Sequence, residues 1–257
     1  MTTTGSARGA LITGAADRLG AAMAVALATA GHAVVIHYRS STTKAETLAR
    51  SINERGGRAN ILQADLRDRE QRAQLINNAA ELIGPLSILV NNASLFEPDS
   101  IETLDEKLWD QNFAVHTEAP LFLARDFAAQ LPAGKKGNIV NIIDERVWSL
   151  SPAHMSYTLS KSTLWTATIT LAQSLAPNIR VNAIGPGPTL PHKRQTQQEF
   201  DASVAALPLK QGASAQEVAD ALIFLLNTPS MTGQMLALDG GEHLKWPENR
   251  SPTPRNM

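Results

Sequence analysis

Tyr157 and Lys161 stand four positions apart, and Asp144 precedes the tyrosine by thirteen. On a helix the Tyr-x-x-x-Lys spacing stacks the phenol and the ammonium on one face. There the cation favours the phenolate and lowers the phenol's pKa from its reference of about 10. The pair is then a proton donor suited to general acid catalysis. Asp144, followed by Glu145 and Arg146, reads by itself as a solvated acid opening a loop. Beside Tyr157 it becomes a second group able to carry a proton.

These groups need a scaffold that brings 144 and 157 together. Short apolar runs alternate with helical patterns, the signature of βαβ units and a parallel sheet. Strands are expected at 9–13, 32–37, 60–63, 87–90, 138–143, 180–184 and 234–238. Helices are expected at 21–30, 44–55, 69–82, 108–130, 155–175 and 218–225, three of them stopped by Gly31, Gly56-Gly57 and Gly84. The helix 155–175 carries Tyr157 and Lys161, and the strand 138–143 delivers Asp144. Seven strands predict one α/β domain, a Rossmann-like doubly wound parallel sheet, over residues 1–246. Residues 247–257 hold three prolines and two arginines and read as an extended tail.

The first strand runs into Thr13-Gly14-Ala15-Ala16-Asp17-Arg18-Leu19-Gly20. Gly14 suits a tight turn, Gly20 allows close packing of a helix, and the free amides at the helix start suit a pyrophosphate. A glycine pair alone is common in loops, but a strand before it and a helix after it favour a dinucleotide. Arg18 takes the place usual for the middle glycine and sets a cation beside the phosphates. The second strand ends in His37-Tyr38-Arg39-Ser40-Ser41, without the acid that would grip the ribose hydroxyls of NAD. Arg39 with Ser40 and Ser41 can instead bond a 2′-phosphate, which points to NADP(H). Asp17 dissents, since a cation in that loop would serve the phosphates better. Asp65-Leu66 follows the third strand, where Asp65 can accept from an adenine amino group or cap the next helix.

Composition narrows the class. The chain has 257 residues, 43% of them hydrophobic, enough for a sizeable core. A formal net charge of -1 gives no basic footprint for nucleic acid or an anionic membrane. With no cysteine, thiol catalysis, thiolate metal sites and disulfides are excluded. No metal site is expected. The first eight residues lack the apolar core of a signal peptide, and no run approaches a membrane span. A soluble cytoplasmic protein is expected.

Five ordered motifs, namely the Thr13-Gly14 loop, Asp65, Asn91-Asn92-Ala93-Ser94, Tyr157 with Lys161, and Gly185-Pro186-Gly187, resemble those of the short-chain dehydrogenase/reductases. That family usually carries a serine where Asp144 stands, to polarise a carbonyl. With Arg18, His37 to Ser41, Leu95-Phe96, residues 215–220 and Leu238-Asp239-Gly240-Gly241 added, the chain is similar to the pteridine reductases and bacterial dihydromonapterin reductases over nearly its whole length.

The resemblance implies NADP(H) held by Gly14, Arg18, Leu19, Gly20, His37, Tyr38, Arg39, Ser40, Asp65, Leu66, Asn92, Ala93, Ser94, Tyr157, Lys161, Pro186, Gly187 and Thr189. It implies a pterin or folate touching Arg18, Ser94, Phe96, Asp144 and Tyr157, stacked between the nicotinamide and Phe96. Phe96 alone would read as a core or loop aromatic. Catalysis would fall to Asp144, Tyr157 and Lys161. His116 stands where many members have an asparagine holding a water near the lysine, and is read as their support. Lys210 replaces an aromatic found in some pteridine reductases. Residues 190–211, with His192, Lys193 and Arg194, are expected to loop over the substrate's tail. The family also implies a homotetramer, in which Arg250 or Arg255 reaches a partner's site. The other readings are a carbonyl or alcohol oxidoreductase of this fold, and a non-catalytic dinucleotide-binding protein.

Overall fold

Strand β1, Gly9–Ile12, lies between β2, Ala33–Tyr38, and β4, Leu86–Asn91. β3, Arg58–Gln63, flanks β2, while β5, Gly137–Ile142, β6, Ile179–Pro186, and β7, Met235–Leu238, continue beyond β4. All six pairings are parallel, giving the order β3-β2-β1-β4-β5-β6-β7. The computed structural model describes residues 9–192 and 194–244; Lys193 and the tail at 247–257, with Arg250 and Arg255, lie outside them.

The β-strand period of two divides the core. Ala10, Ile12, Val34 and Ile36 face α1, Arg18–Thr29, α2, Thr42–Glu54, and α8, Ala215–Asn227. Leu11, Val35, Leu89 and Ile139 face the other way, onto α3, Arg69–Ile83, α5, Ala119–Gln130, and α6, Met155–Leu175. With both faces covered, β1 and β2 are buried along their whole length. The strand order reverses between β1 and β4, so the crevice at their carboxyl ends is the place such sheets bind ligands.

Two elements depart from the expected pattern. The helix 108–130 is α4, Glu106–Phe113, joined to α5 by a π-helical turn, Ala114–Glu118. The segment 190–211 contains a helix, α7, Gln197–Ala205, started by reciprocal bonds between Thr196 and Glu199. No helix among the described residues is long and apolar enough to cross a membrane.

Candidate active site

The carboxyl end of β1 turns at Gly14, with φ of 62°, into α1. A Cβ on Gly14 would lie 2.8 Å from Ala93 Cα, and one on Gly20 would lie 2.6 Å from Gly14 O and 2.7 Å from Ala15 Cα. These glycines hold α1, the turn and the 92–94 segment in contact, leaving the amides at the start of α1 for a phosphate. The turn is braced from two sides. The Asn92 side chain donates to Thr13 O and Gly14 O at 2.9 and 3.0 Å. His37 Nδ1 accepts from Gly14 N at 3.0 Å, and its Nε2 bonds Ala64 O at 3.0 Å.

Asn92 and His37, both expected to contact the cofactor, brace the loop through these bonds. Burial holds the His37 pKa down to about 4. Between that value and the unfolded 6.5 only the unfolded chain takes up the proton, so stability falls as pH drops through this window. Relative to pH 7, His37 alone should cost roughly 2 kcal/mol at pH 5. Thermal unfolding followed from pH 7 to pH 5 should show this loss, and an identical acid dependence in His37→Asn would disprove the assignment.

Arg39 and Ser40 are exposed at the end of β2, as 2′-phosphate ligands must be, whereas Tyr38 is buried. Asp17 caps α1 through Arg18 N and pairs with Lys44 on α2. The dissenting acid thus has a structural use. Asp65 is engaged by Arg67, with Nε to Oδ1 at 2.9 Å and Nη2 to Oδ2 at 2.5 Å. Leu66 is buried, and Leu19 is partly so at the first turn of α1. Pro186 ends β6, Gly187 N bonds Leu238 O at 3.0 Å, and Thr189 Oγ1 turns back to Gly187 O at 2.9 Å. Arg18, with φ of 56°, does not point freely into the phosphate site. Its Nη1 and Nη2 donate to Pro191 O and Leu190 O at 2.9 and 3.1 Å, strapping the loop after β6 to the first turn of α1.

Across the crevice Tyr157 donates its hydroxyl to Asp144 Oδ2 at 2.6 Å. Asp144 Oδ1 accepts from Arg146 N at 3.0 Å, and the Arg146 Nε lies 3.8 Å from it. Burial raises the Asp144 pKa against the lowering by Tyr157 and Arg146. Glu145 beside it is 3% exposed, its Oε2 has no hydrogen-bond partner among the described residues, and burial lifts its pKa to about 8, so it is protonated at neutral pH and adds no charge there. Lys161 is buried, donates to Ile142 O at 2.8 Å and sits 5.7 Å from the centre of the Tyr157 ring; burial brings its pKa to about 8.

The expected depression of the phenol is overturned. Burial, then the Asp144 charge, pushes the Tyr157 pKa well above its usual value. The carboxyl and phenol share one short bond and titrate as a unit, with the carboxyl as the more acidic member.

His116 lies in the π-helical turn and is 1% exposed. Leu95 N donates to its Nε2 at 3.0 Å, which leaves the proton on Nδ1. Nδ1 bonds Ser160 Oγ at 2.9 Å, and Ser160 donates to Tyr157 O at 2.8 Å. Ser94 Oγ adds a bond to Nε2 at 3.1 Å. Burial, with Lys161 nearby, keeps the imidazole neutral. It fixes the 94–95 segment against α6 and meets the Tyr157 ring edge-on at 5.3 Å.

A family model described as enoyl-(acyl carrier protein) reductase matches residues 14–243. A short-chain type dehydrogenase/reductase of Picea abies is 32% identical over 91% of this chain and 92% of its own. The chain belongs to the short-chain dehydrogenase/reductase family. Pteridine reductase 1 of Leishmania tarentolae is 33% identical over 95% of this chain and 99% of its own. FolM alternative dihydrofolate reductase 1 from Brucella suis, crystallised with NADP, superposes with a TM-score of 0.92 at 48% identity, covering 95% of this chain and 98% of that one.

In this short-chain dehydrogenase/reductase Phe96 closes the site. Its ring stacks on His154 at 4.1 Å and meets Tyr157 edge-on at 4.8 Å and His192 at 5.4 Å, with Arg146 5.5 Å from its centre. One ring face is thus already covered by a residue that sequence reasoning did not single out. Arg194 pairs with Glu97 at 2.6 Å, a second strap across the loop after β6. Lys210 lies beyond α7 with φ of 51°.

Asp99 is also new to the site. α6 begins after His154, which is left-handed and offers no side-chain cap, and the buried Asp99 carboxylate accepts Ser156 N at 3.1 Å and Ser156 Oγ instead. It ties the Phe96 segment to the turn carrying Tyr157. Asp99→Ala should lower stability by about 1.5–3 kcal/mol, the range for bonds to a charged group, and Asp99→Asn by less. Equal melting temperatures for wild type and Asp99→Ala would overturn this role.

Proposed function

We propose that the protein is an NADPH-dependent pterin reductase that takes a dihydropterin or dihydrofolate to its tetrahydro form. The observation that carries the reading is the 2.6 Å bond from Tyr157 to Asp144. A serine hydroxyl suits polarising a carbonyl, whereas reduction of a ring imine needs a proton at nitrogen, and a half-buried carboxyl with a raised pKa is suited to hold one. The resemblance to Leishmania pteridine reductase 1 and the Brucella FolM protein supports the same substrate class.

NADPH, when bound, supplies the hydride. Gly14, Leu19, Gly20, Arg39, Ser40, Asp65, Leu66, Ala93, Pro186, Gly187 and Thr189 line its path along the carboxyl ends of β1 to β6, and NADP in the Brucella suis crystal supports this choice. Lys161 orients the ribose next to the reacting ring. Phe96 sets the plane of the pterin by stacking, on the order of 1 kcal/mol beyond area burial. The Tyr157–Asp144 pair delivers the proton to ring nitrogen, while His116, through Ser160 and Leu95, holds the phenol and the 94–96 segment in place. The homotetramer belongs to this reading as well.

The test measures NADPH oxidation with dihydromonapterin, dihydrobiopterin, dihydrofolate and a panel of ketones side by side. Turnover of at least one pterin above every ketone is expected. A ketone preferred over all pterins would favour the carbonyl oxidoreductase reading, and NADPH binding without any turnover the non-catalytic one.

A further inference from the structure

Between α3 and α5, with Glu118 from the π-helical turn, lies an open cavity of about 380 Å³ lined by Arg69, Arg72, Ala73, Glu118, Phe122 and Arg125. Three guanidinium groups meet there. Glu118 lies 3.7 Å from Arg69 and 3.3 Å from Arg72, both longer than the about 2.7–2.9 Å of a good charge-assisted bond. Arg125 has its Nε on Asp126 at 2.7 Å. Three cations thus stand against two carboxylates.

Arg72 is the unusual member. It is 5% exposed, yet only its Nη1 has hydrogen-bond partners among the described residues, Leu66 O and Glu118 Oε2, each at 3.3 Å. Nε and Nη2 have none there. Arg72 and Arg125 also sit 5.0 and 5.1 Å from the centre of the same Phe122 ring, so one aromatic quadrupole holds two like charges close together. A buried cation with open donors, facing a cavity whose charge is not balanced, is the arrangement an anion completes.

We propose that this cavity is a second ligand site, separate from the catalytic crevice, that binds a small oxyanion carrying two or more negative charges on phosphate or carboxylate groups. Arg72 is the buried anchor, and Arg69 and Arg125 close on the ligand from the rim. The planar guanidinium forks suit two-pronged contact with such oxygens. Glu118 competes with the ligand for Arg72, so bound anion loosens the carboxylate that ends the π-helical turn.

The test is calorimetric titration of the full chain, held at low ionic strength with its dinucleotide site saturated by NADP⁺ so that phosphate cannot bind there. Inorganic pyrophosphate and citrate are titrated in parallel, against chloride at matched ionic strength, to separate phosphate from carboxylate ligands. One saturable site per chain is expected for at least one probe. Arg72→Gln should abolish it, and Arg69→Gln/Arg125→Gln, at exposed positions that keep the fold, should weaken it at least tenfold. Absence of saturable binding beyond the chloride control, or wild-type affinity in the double variant, would overturn the proposal.

Discussion

Asp144→Ser is expected to depress pterin reduction by about 10²- to 10³-fold, the scale of a lost general acid, while the Kd for NADPH stays within about twofold. The loss should fall on kcat, since the carboxyl acts on the proton and not on the ground-state complex. The pH profile gives the sharper reading. Burial raises the Asp144 pKa, and the protonated pair is the donor, so kcat should fall as pH rises through that titration. In the serine variant this limb should vanish, because Tyr157 titrates far higher. Removing the Asp144 charge also removes a cause of the raised phenol pKa, so ketone reduction should hold or improve. Equal pterin rates and equal pH profiles in the two proteins would remove Asp144 from the reaction.

The second large effect belongs to Gly20. A methyl group there would sit 2.6 Å from Gly14 O, 2.7 Å from Ala15 Cα and 2.7 Å from Asn92 Nδ2. Asn92 can shift only by giving up its two bonds to the turn. Relief must come from the phosphate loop. Strain of about 1–3 kcal/mol is typical of such overpacking, and displacing the loop by that amount raises the NADPH Kd by about 10- to 100-fold. Fluorescence titration with NADPH measures this, with a melting curve to separate loop displacement from global unfolding. An unchanged Kd would show that the cradle is not where the dinucleotide binds.

The seven strands of a doubly wound sheet and the meeting of Asp144, Tyr157 and Lys161 were legible because short apolar runs and the Tyr-x-x-x-Lys spacing are local. α7 was missed, because none of its residues is buried and apolar periodicity does not reveal it; the signal that marks it is the Thr196-x-x-Glu199 capping pair at its start. The pKa of Tyr157 was not legible. Its direction depends on how deeply the folded chain buries the phenol and where Asp144 comes to rest, and a spacing of four carries neither. The partners of Arg18 lie 172 and 173 positions away, and the carboxylate supporting the first turn of α6 comes from Asp99, 57 positions before Ser156. His37 and Asn92 were placed at the loop, but the bonds by which they brace it were not legible, because a motif marks proximity and not the partners a side chain takes.

A π-helical turn is an α-helix with one residue to spare. Removing Val115 would restore continuous α-helical bonding and, at 3.6 residues per turn, rotate everything on one side of the cut by about 100° against the other. Either Asn112 would leave its buried seat, or Leu123 and Phe127 would leave the core. His116 would also move off Ser160 and Leu95. In this stretch the number of residues is therefore as constrained as their kinds, and a single-codon deletion would do more damage than most substitutions.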